Sequence, residues 1–242
     1  YAMWLREFKV FTREKSRIVS SFFTPLFWLL IFGGGLGASV AFGDFSVIEY
    51  IFPGILAMAV LFSSIFFGTY IIWDRKVDFL KEVLAAPVRR TTIFFGKVLG
   101  GSTDALIQSS ILLVIGVFIG VEYSVLNILQ VILFLLLLAI TMVSMGLIIG
   151  SQMESPEGFG LIVSFVVFPL FFLSGALFPI ENLPIWLEPF TLIDPVTYAV
   201  DGLRGAILGT SRFPMLYNVI ISLNFAGLMV ALGSWAFRKM KL

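Results

Sequence analysis

Six stretches of the chain are almost wholly apolar: residues 21–42, 51–72, 98–120, 127–149, 159–178 and 213–237. Each is 20 to 25 residues long, and about 20 apolar residues are what a helix needs to cross the hydrocarbon core of a bilayer. The pattern predicts an all-α membrane protein with six transmembrane helices and both termini on one side. Three segments interrupt it. In residues 1–17, Trp4, Leu5, Phe8 and Phe11 share one helical face, while Arg6, Glu7, Lys9, Arg13 and Glu14 cover most of the rest. Such an amphipathic helix rests in the membrane interface, aromatics toward the acyl boundary and cations toward headgroups. Its charges also separate it from a cleavable signal peptide.

Residues 73–97 are the only long polar interruption between two apolar runs. Within them Val77, Leu80, Val83 and Leu84 keep helical spacing beside Lys81 and Glu82, so a short helix sets an apolar stripe next to charge. Pro87 ends that helix, because the residue before a proline is pushed out of the α region. A second short helical piece then leads back into the membrane. This elbow reads either as a surface that a soluble partner grips or as a solvated connector. Residues 179–212 are too apolar for a plain loop and too broken, by Pro179, Pro184, Pro189 and Pro195, to span. Asp194-Pro195 places a capping acid before a proline at the first helical position. Two short helices that dip into the outer leaflet are expected. They should pack on the bundle, since non-helical backbone at that depth must be buried in protein.

Charge distribution orients the chain. Fourteen of its sixteen Lys and Arg fall in the N-terminal segment, the elbow and the C-terminal tail, and only Arg204 and Arg212 lie elsewhere. By the positive-inside rule those three regions are cytoplasmic; the outer loops carry Asp44, Glu49 and Glu122 instead. Composition agrees: 59% of residues are apolar and 13% charged, against about 25% charged in soluble domains. No polar segment is long enough for a separate soluble domain. The pairs Gly33/Gly37, Gly116/Gly120 and Gly146/Gly150 are each four apart, a spacing that lets membrane helices approach closely. Pro169 should kink the fifth span.

The chemistry these residues offer is sparse. The chain has no Cys and no His, which removes disulfides, thiolates and the usual general base, metal ligand and proton relay. Residues 33–38 match G-x-G-x-x-A, but they end a membrane span with no strand before them, so the dinucleotide reading fails. Gly96-Lys97 resembles the end of a phosphate loop, yet the earlier glycine is Thr91 and the following hydroxyl is Val98. Asp104 is the only acid inside a span, placed near its cytoplasmic end, where a hydrogen-bonded structural role outweighs a functional one. Glu154 and Glu157 bracket Pro156 in a short turn and are more simply solvated acids than a cation site. No catalytic residue, metal site or nucleic-acid surface is expected.

Two stretches resemble the membrane subunit of ABC-2 type exporters, the group that includes daunorubicin-resistance and nodulation-factor permeases. The first is FLKEVLAAPVRRTTIFFGKVLGGST, residues 79–103, similar to the family's Leu-x-Glu-x-Leu-x-x-Ala-Pro-Val-x-Arg segment followed by Gly-Lys. The second is SGALFPIENLPIWLEPFTLIDPVTYAVDGLRG, residues 174–205, similar to the signature of Ser-Gly-x-x-Phe-Pro, Asp-Pro, an aromatic (Tyr198) and an Arg (Arg204). The chain departs from the family at Val77-Asp78, where many relatives carry a glycine. The resemblance covers essentially residues 1–242 as a single transmembrane domain.

The resemblance implies an interface helix (Trp4, Arg6, Glu7, Phe8, Phe11) and a coupling helix in the first cytoplasmic loop (Phe79, Leu80, Lys81, Glu82, Val83, Leu84, Pro87, Arg89, Arg90). It implies an outer re-entrant helical hairpin with Asp194, Pro195, Tyr198 and Arg204. It further implies a plasma-membrane permease that pairs with a second copy or a homologous permease and with two copies of a separate ABC ATPase. ATP and Mg²⁺ would be held by that partner and not by this chain. Exported drugs, lipids and (lipo)glycans are the implied substrates, and surrounding lipid a further partner. A non-transporting membrane scaffold or assembly factor is the rival from another class. An ion-coupled carrier would need deep charges and inverted repeats, which the sequence lacks.

Overall fold

The computed structural model describes residues 1–36, 45–85, 88–121, 123–180 and 183–240, less the side chains of residues 16–18, 21–22, 33–34, 81 and 84. Among the described residues all extended elements are helices and no strand is present. In chain order they are α1 (Ala2–Arg13), α2 (Lys15–Leu36), α3 (Val47–Phe66), α4 (Thr69–Lys76), α5 (Phe79–Ala85) and α6 (Arg90–Phe118). There follow α7 (Val125–Gln152), α8 (Pro156–Leu173), α9 (Glu188–Ile193), α10 (Pro195–Leu208) and α11 (Met215–Lys239). Among the described residues, five helical stretches are long and apolar enough to cross a membrane: Val47–Lys76, Arg90–Phe118, Val125–Gln152, Pro156–Leu173 and Met215–Lys239. The chain is a multi-pass membrane protein. Of the first apolar run, α2 carries the shorter apolar stretch Phe23–Phe32, and residues 37–42 lie outside the described residues.

Helix ends follow local chemistry. Ser46 and Glu49 form a reciprocal capping box at the start of α3. Ser124 and Ser155 accept from Asn127 N–H and Gly158 N–H to start α7 and α8. The Asp194-Pro195 pair starts α10, as its chemistry predicts, and Gly209 ends it at φ +72°.

Helix α7 is the centre, packed against α3, α6, α10 and α11. Its Gly146 and Gly150 make the close approach that their spacing predicts. A Cβ on Gly146 would lie 2.2 Å from the Ile65 carbonyl oxygen, and one on Gly150 2.3 Å from that of Gly68. Gly116 packs against Phe52, but Gly120 is a helix end at φ +92° rather than a contact. Gly37 lies outside the described residues.

Three sequence expectations change. The span from Val47 is broken at Phe67–Gly68 into α3 and α4, so Trp73–Lys76 continue a span instead of opening the elbow. The return from the elbow is no separate short piece, because α6 runs unbroken from Arg90. In the outer segment, α9 is mostly exposed, whereas eleven residues of α10 are buried. Helix α10 packs on α3, α7 and α11 as expected of residues 179–212 and is part of the core; it is α9 that departs from the expectation.

Candidate functional site

Four charged side chains from three helices meet at one end of the bundle: Arg6 and Glu7 of α1, Asp74 of α4 and Lys97 of α6. Lys97 Nζ donates to Glu7 Oε1 at 3.0 Å and to Asp74 Oδ2 at 2.5 Å. Arg6 donates through Nη2 to Asp74 Oδ1 at 2.6 Å and through Nη1 to Glu7 Oε1 at 2.7 Å. Lys97, Glu7 and Asp74 are only 0%, 1% and 3% exposed. Two cations face two carboxylates, so the formal charge cancels, and buried charges are tolerated when paired in this way. Burial lowers the pKa of Arg6, but Glu7 and Asp74 outweigh it; the net shift is upward and the guanidinium stays charged.

Each buried member occupies an apolar stripe. Glu7 lies three residues after Trp4 and four before Phe11, on the face that α1 buries. Lys97 follows Ile93 and Phe94 at helical spacing, and Asp74 follows Ile71; all three of those apolar residues are buried. The expectation that Glu7 belongs to the polar face of α1 is therefore corrected: it lies between α1 and α6. Glycines make room for it. A Cβ on Gly96 would lie 2.6 Å from Met3 Cβ, and one on Gly100 2.6 Å from Glu7 Cβ. Gly96-Lys97, which fails as a phosphate loop, is here the seat of α1 and the centre of the charge cluster. Trp4 adds a hydrogen bond from Nε1 to Thr103 Oγ1 at 3.0 Å and stacks on half-buried Phe8 with centroids 5.8 Å apart. Phe11 is buried.

The joint extends outward from this cluster. Arg6 Cζ sits 3.9 Å over the Phe79 ring, which brings in α5. Arg75 donates to the carbonyls of Ser151 at 2.9 Å and Met153 at 3.0 Å, at the end of α7. Arg90 donates to the carbonyls of Arg238 and Met240, at the end of α11. Tyr70 O–H donates to Glu14, beyond the end of α1. The N-terminal helix, the elbow and the C-terminal end thus share one end of the molecule.

The predicted coupling residues divide. Leu80 is 1% exposed and belongs to the chain's own hydrophobic core, so its apolar surface is already covered and it cannot anchor a partner. Phe79 and Val83 are half-buried, and Arg90 serves α11. Glu82, Ala85, Val88 and Arg89 face outward. Pro87 and the side chains of Lys81 and Leu84 lie outside the described residues. Asp78, at the departure from the family pattern, adopts φ +57° between α4 and α5, in the region that favours glycine. Asp104 is buried about two turns further along α6 than Lys97.

At the other end, Asp194 Oδ1 accepts from Val196 N–H at 2.8 Å, with Pro195 opening α10. Tyr198 O–H donates to the Leu192 carbonyl at 2.7 Å. Arg204 donates from Nη2 to the Gly175 carbonyl at 2.8 Å, and its Cζ lies 4.3 Å over the Tyr50 ring. Sequence reasoning missed Asp201. Its carboxylate accepts from Arg212 N–H at 2.8 Å, Phe213 N–H at 3.0 Å and Asn218 Nδ2 at 2.8 Å. The available signal was an acid in register with Thr197, Tyr198 and Arg204 on the buried face of α10.

Residues 1–208 match the family model described as ABC-2 type transporter. The inner membrane transport permease YadH of Escherichia coli K12 is 28% identical over 225 residues, covering 89% of this chain and 85% of its own. The ycf38 protein of Cyanophora paradoxa is 29% identical over 202 residues, 79% of this chain and 68% of its own. Nodulation protein J of Rhizobium meliloti is 26% identical over 213 residues, 86% and 81% respectively. The match spans both the charged joint and the buried α10, and the chain belongs to the ABC-2 type transporter family.

Proposed function

We propose that this chain is the permease subunit of an ATP-driven exporter in the plasma membrane, with both termini cytoplasmic. Two copies would form the translocation path, two separate ABC ATPase chains would bind ATP and Mg²⁺, and the cargo would be a drug, lipid or (lipo)glycan. The distribution of Lys and Arg supports the orientation. The observation that carries the mechanism is the charged joint, where Arg6, Glu7, Asp74 and Lys97 fasten α1 and the base of α4 to α6, while Arg6 covers Phe79 of the elbow. A push on the outward face of α5 would then move α1, α4 and α6 together. ATP binding supplies the drive on the partner, since a ligand shifts a conformational equilibrium only through different affinities for its two states. Six membrane helices, the first of them carried by α2, complete the proposed architecture.

The test is recovery of an ABC ATPase with the tagged permease from its native membrane, together with ATP hydrolysis and export, at matched membrane levels. Val88→Asp and Glu82→Lys with Arg89→Glu alter only outward-facing positions. Val88→Asp should cut ATPase recovery about tenfold, because it sets a charge in an apolar contact. The charge reversal should weaken it less and in a salt-dependent manner. Full recovery and export in both variants would leave the elbow a connector and favour the scaffold reading.

A further inference from the structure

A cavity of about 710 Å³ lies between α1, α2, α3, α4 and α6, within the range of about 300–1,000 Å³ usual for small-molecule sites. One end adjoins the charged joint, where Arg6, Glu14 and Asp74 line it; the other end reaches Met58 and Gln108. Asp74 and Met58 are sixteen residues apart along α3 and α4, roughly 24 Å at helical rise. Phe62, Phe66 and Tyr70 line one wall at a spacing of four, and the rings of Phe62 and Phe66 are stacked with centroids 6.4 Å apart.

The far end is not apolar. Gln108 is 2% exposed, and neither its amide oxygen nor its amide nitrogen has a hydrogen-bond partner. Ser63 Oγ, on the same cavity, has none either. An amide buried at this depth is costly unless it is paired. It both donates and accepts and carries no charge, and the charged residues that line the cavity are all at the end beside the joint. A matching group is therefore uncharged and able to do both.

We infer that this cavity is a binding site, inside one copy of the chain, for an elongated apolar molecule whose leading end carries an uncharged amide or hydroxyl that pairs with Gln108. All of its lining belongs to a single copy of the chain, so occupancy needs no ATPase. Because Arg6 and Asp74 belong to both cavity and joint, an occupant touches the groups that fasten the elbow to the bundle.

The full chain in lipid nanodiscs provides the test. One probe is a dodecanamide with a mid-chain diazirine; the other is the dodecane of equal length bearing the same diazirine. After photolysis the adducts are located by mass spectrometry. The amide should label the cavity around Met58 and Phe62 saturably, with competition by unlabelled dodecanamide. The dodecane should label exposed positions such as Leu129 and Phe165 without saturation. Gln108→Leu should weaken the amide's apparent affinity about tenfold, as expected for an unreplaced buried hydrogen bond, with an unchanged or higher Tm. Should that variant not fold, Ser63→Leu, which fills the far end, should abolish saturable labelling. Unsaturable amide labelling at the cavity, or unchanged affinity in Gln108→Leu or Ser63→Leu, would overturn the proposal and leave an amide satisfied by water alone.

Discussion

At the end that holds α1, Lys97, Arg6, Glu7 and Asp74 bind side chain to side chain across three helices. At the opposite end, Asp201 and Arg204 mainly bind side chain to backbone: Asp201 gathers the N–H groups that precede α11, and Arg204 reaches the Gly175 carbonyl. Both arrangements bury charge, but they depend on different things. The first depends on balance between ions, and its members stay paired if the helices that carry them move together. The second depends on where a backbone donor or acceptor sits, which ties it to one chain conformation. A joint meant to transmit displacement is served by the first, and a fixed turn by the second. The charge cluster lies beside the elbow that the proposed ATPase would push, and the backbone clamps lie where α10 and α11 are anchored.

The largest effect should follow from unbalancing the cluster of Arg6, Glu7, Asp74 and Lys97. Lys97→Met leaves Glu7 and Asp74 with Arg6 alone, an excess buried negative charge, and such a break costs about 3–5 kcal/mol. Thermal unfolding in detergent should show the loss. Adding Glu7→Gln restores the charge balance and should recover a large part of it, because neutralised pairs can be nearly as stable as buried ions. If the double variant were no better than the single, balance would not be what holds this end.

The Asp201 clamp should respond differently. Asp201→Ala removes the acceptor for three donors at once, a loss of about 2–3 kcal/mol. No second neutralisation can rescue it, since backbone N–H groups need an acceptor and not a counter-charge. Asp201→Asn keeps one oxygen and should fall between. Equal stability of the Asn and Asp forms would mean that charge contributes nothing here, and the contrast between the two ends would sharpen.

How much of this was legible follows from what each residue's neighbours in sequence reveal. Five of the six expected spans were readable because apolar length alone predicts them, and α10 announced itself through Asp194-Pro195. The break at Phe67–Gly68 was not, because both residues suit an apolar helix and the break lies where Gly68 meets Gly146 of another helix. Leu80 looked like a partner's anchor because periodicity marks an apolar face without saying what covers it. The charged cluster was half-visible. Glu7, Asp74 and Lys97 each interrupt an apolar stripe at a position where a charge is costly. Three such anomalies in separate helices are an argument that they satisfy one another, but only the fold brings residues 7, 74 and 97 together.

The smallest effect concerns the turn that leads from the joint to the outward face. Asp78 sits at φ +57° between α4 and α5, where an L residue is strained by about 1–2 kcal/mol, though Asp tolerates the region better than most. Asp78→Gly removes the strain but adds freedom to the unfolded chain worth about 0.5–1 kcal/mol, so stability should shift by less than ~0.5 kcal/mol either way. Asp78→Val keeps the strain, lacks the short polar side chain that eases it, and is β-branched; it should lose about 1–2 kcal/mol. Paired Tm measurements on the two variants decide the matter. If Val were tolerated as well as Gly, the turn would not hold a fixed left-handed conformation. The elbow would then be loosely hinged to α4, and its seat on the bundle would rest on the Arg6–Phe79 contact and on buried Leu80.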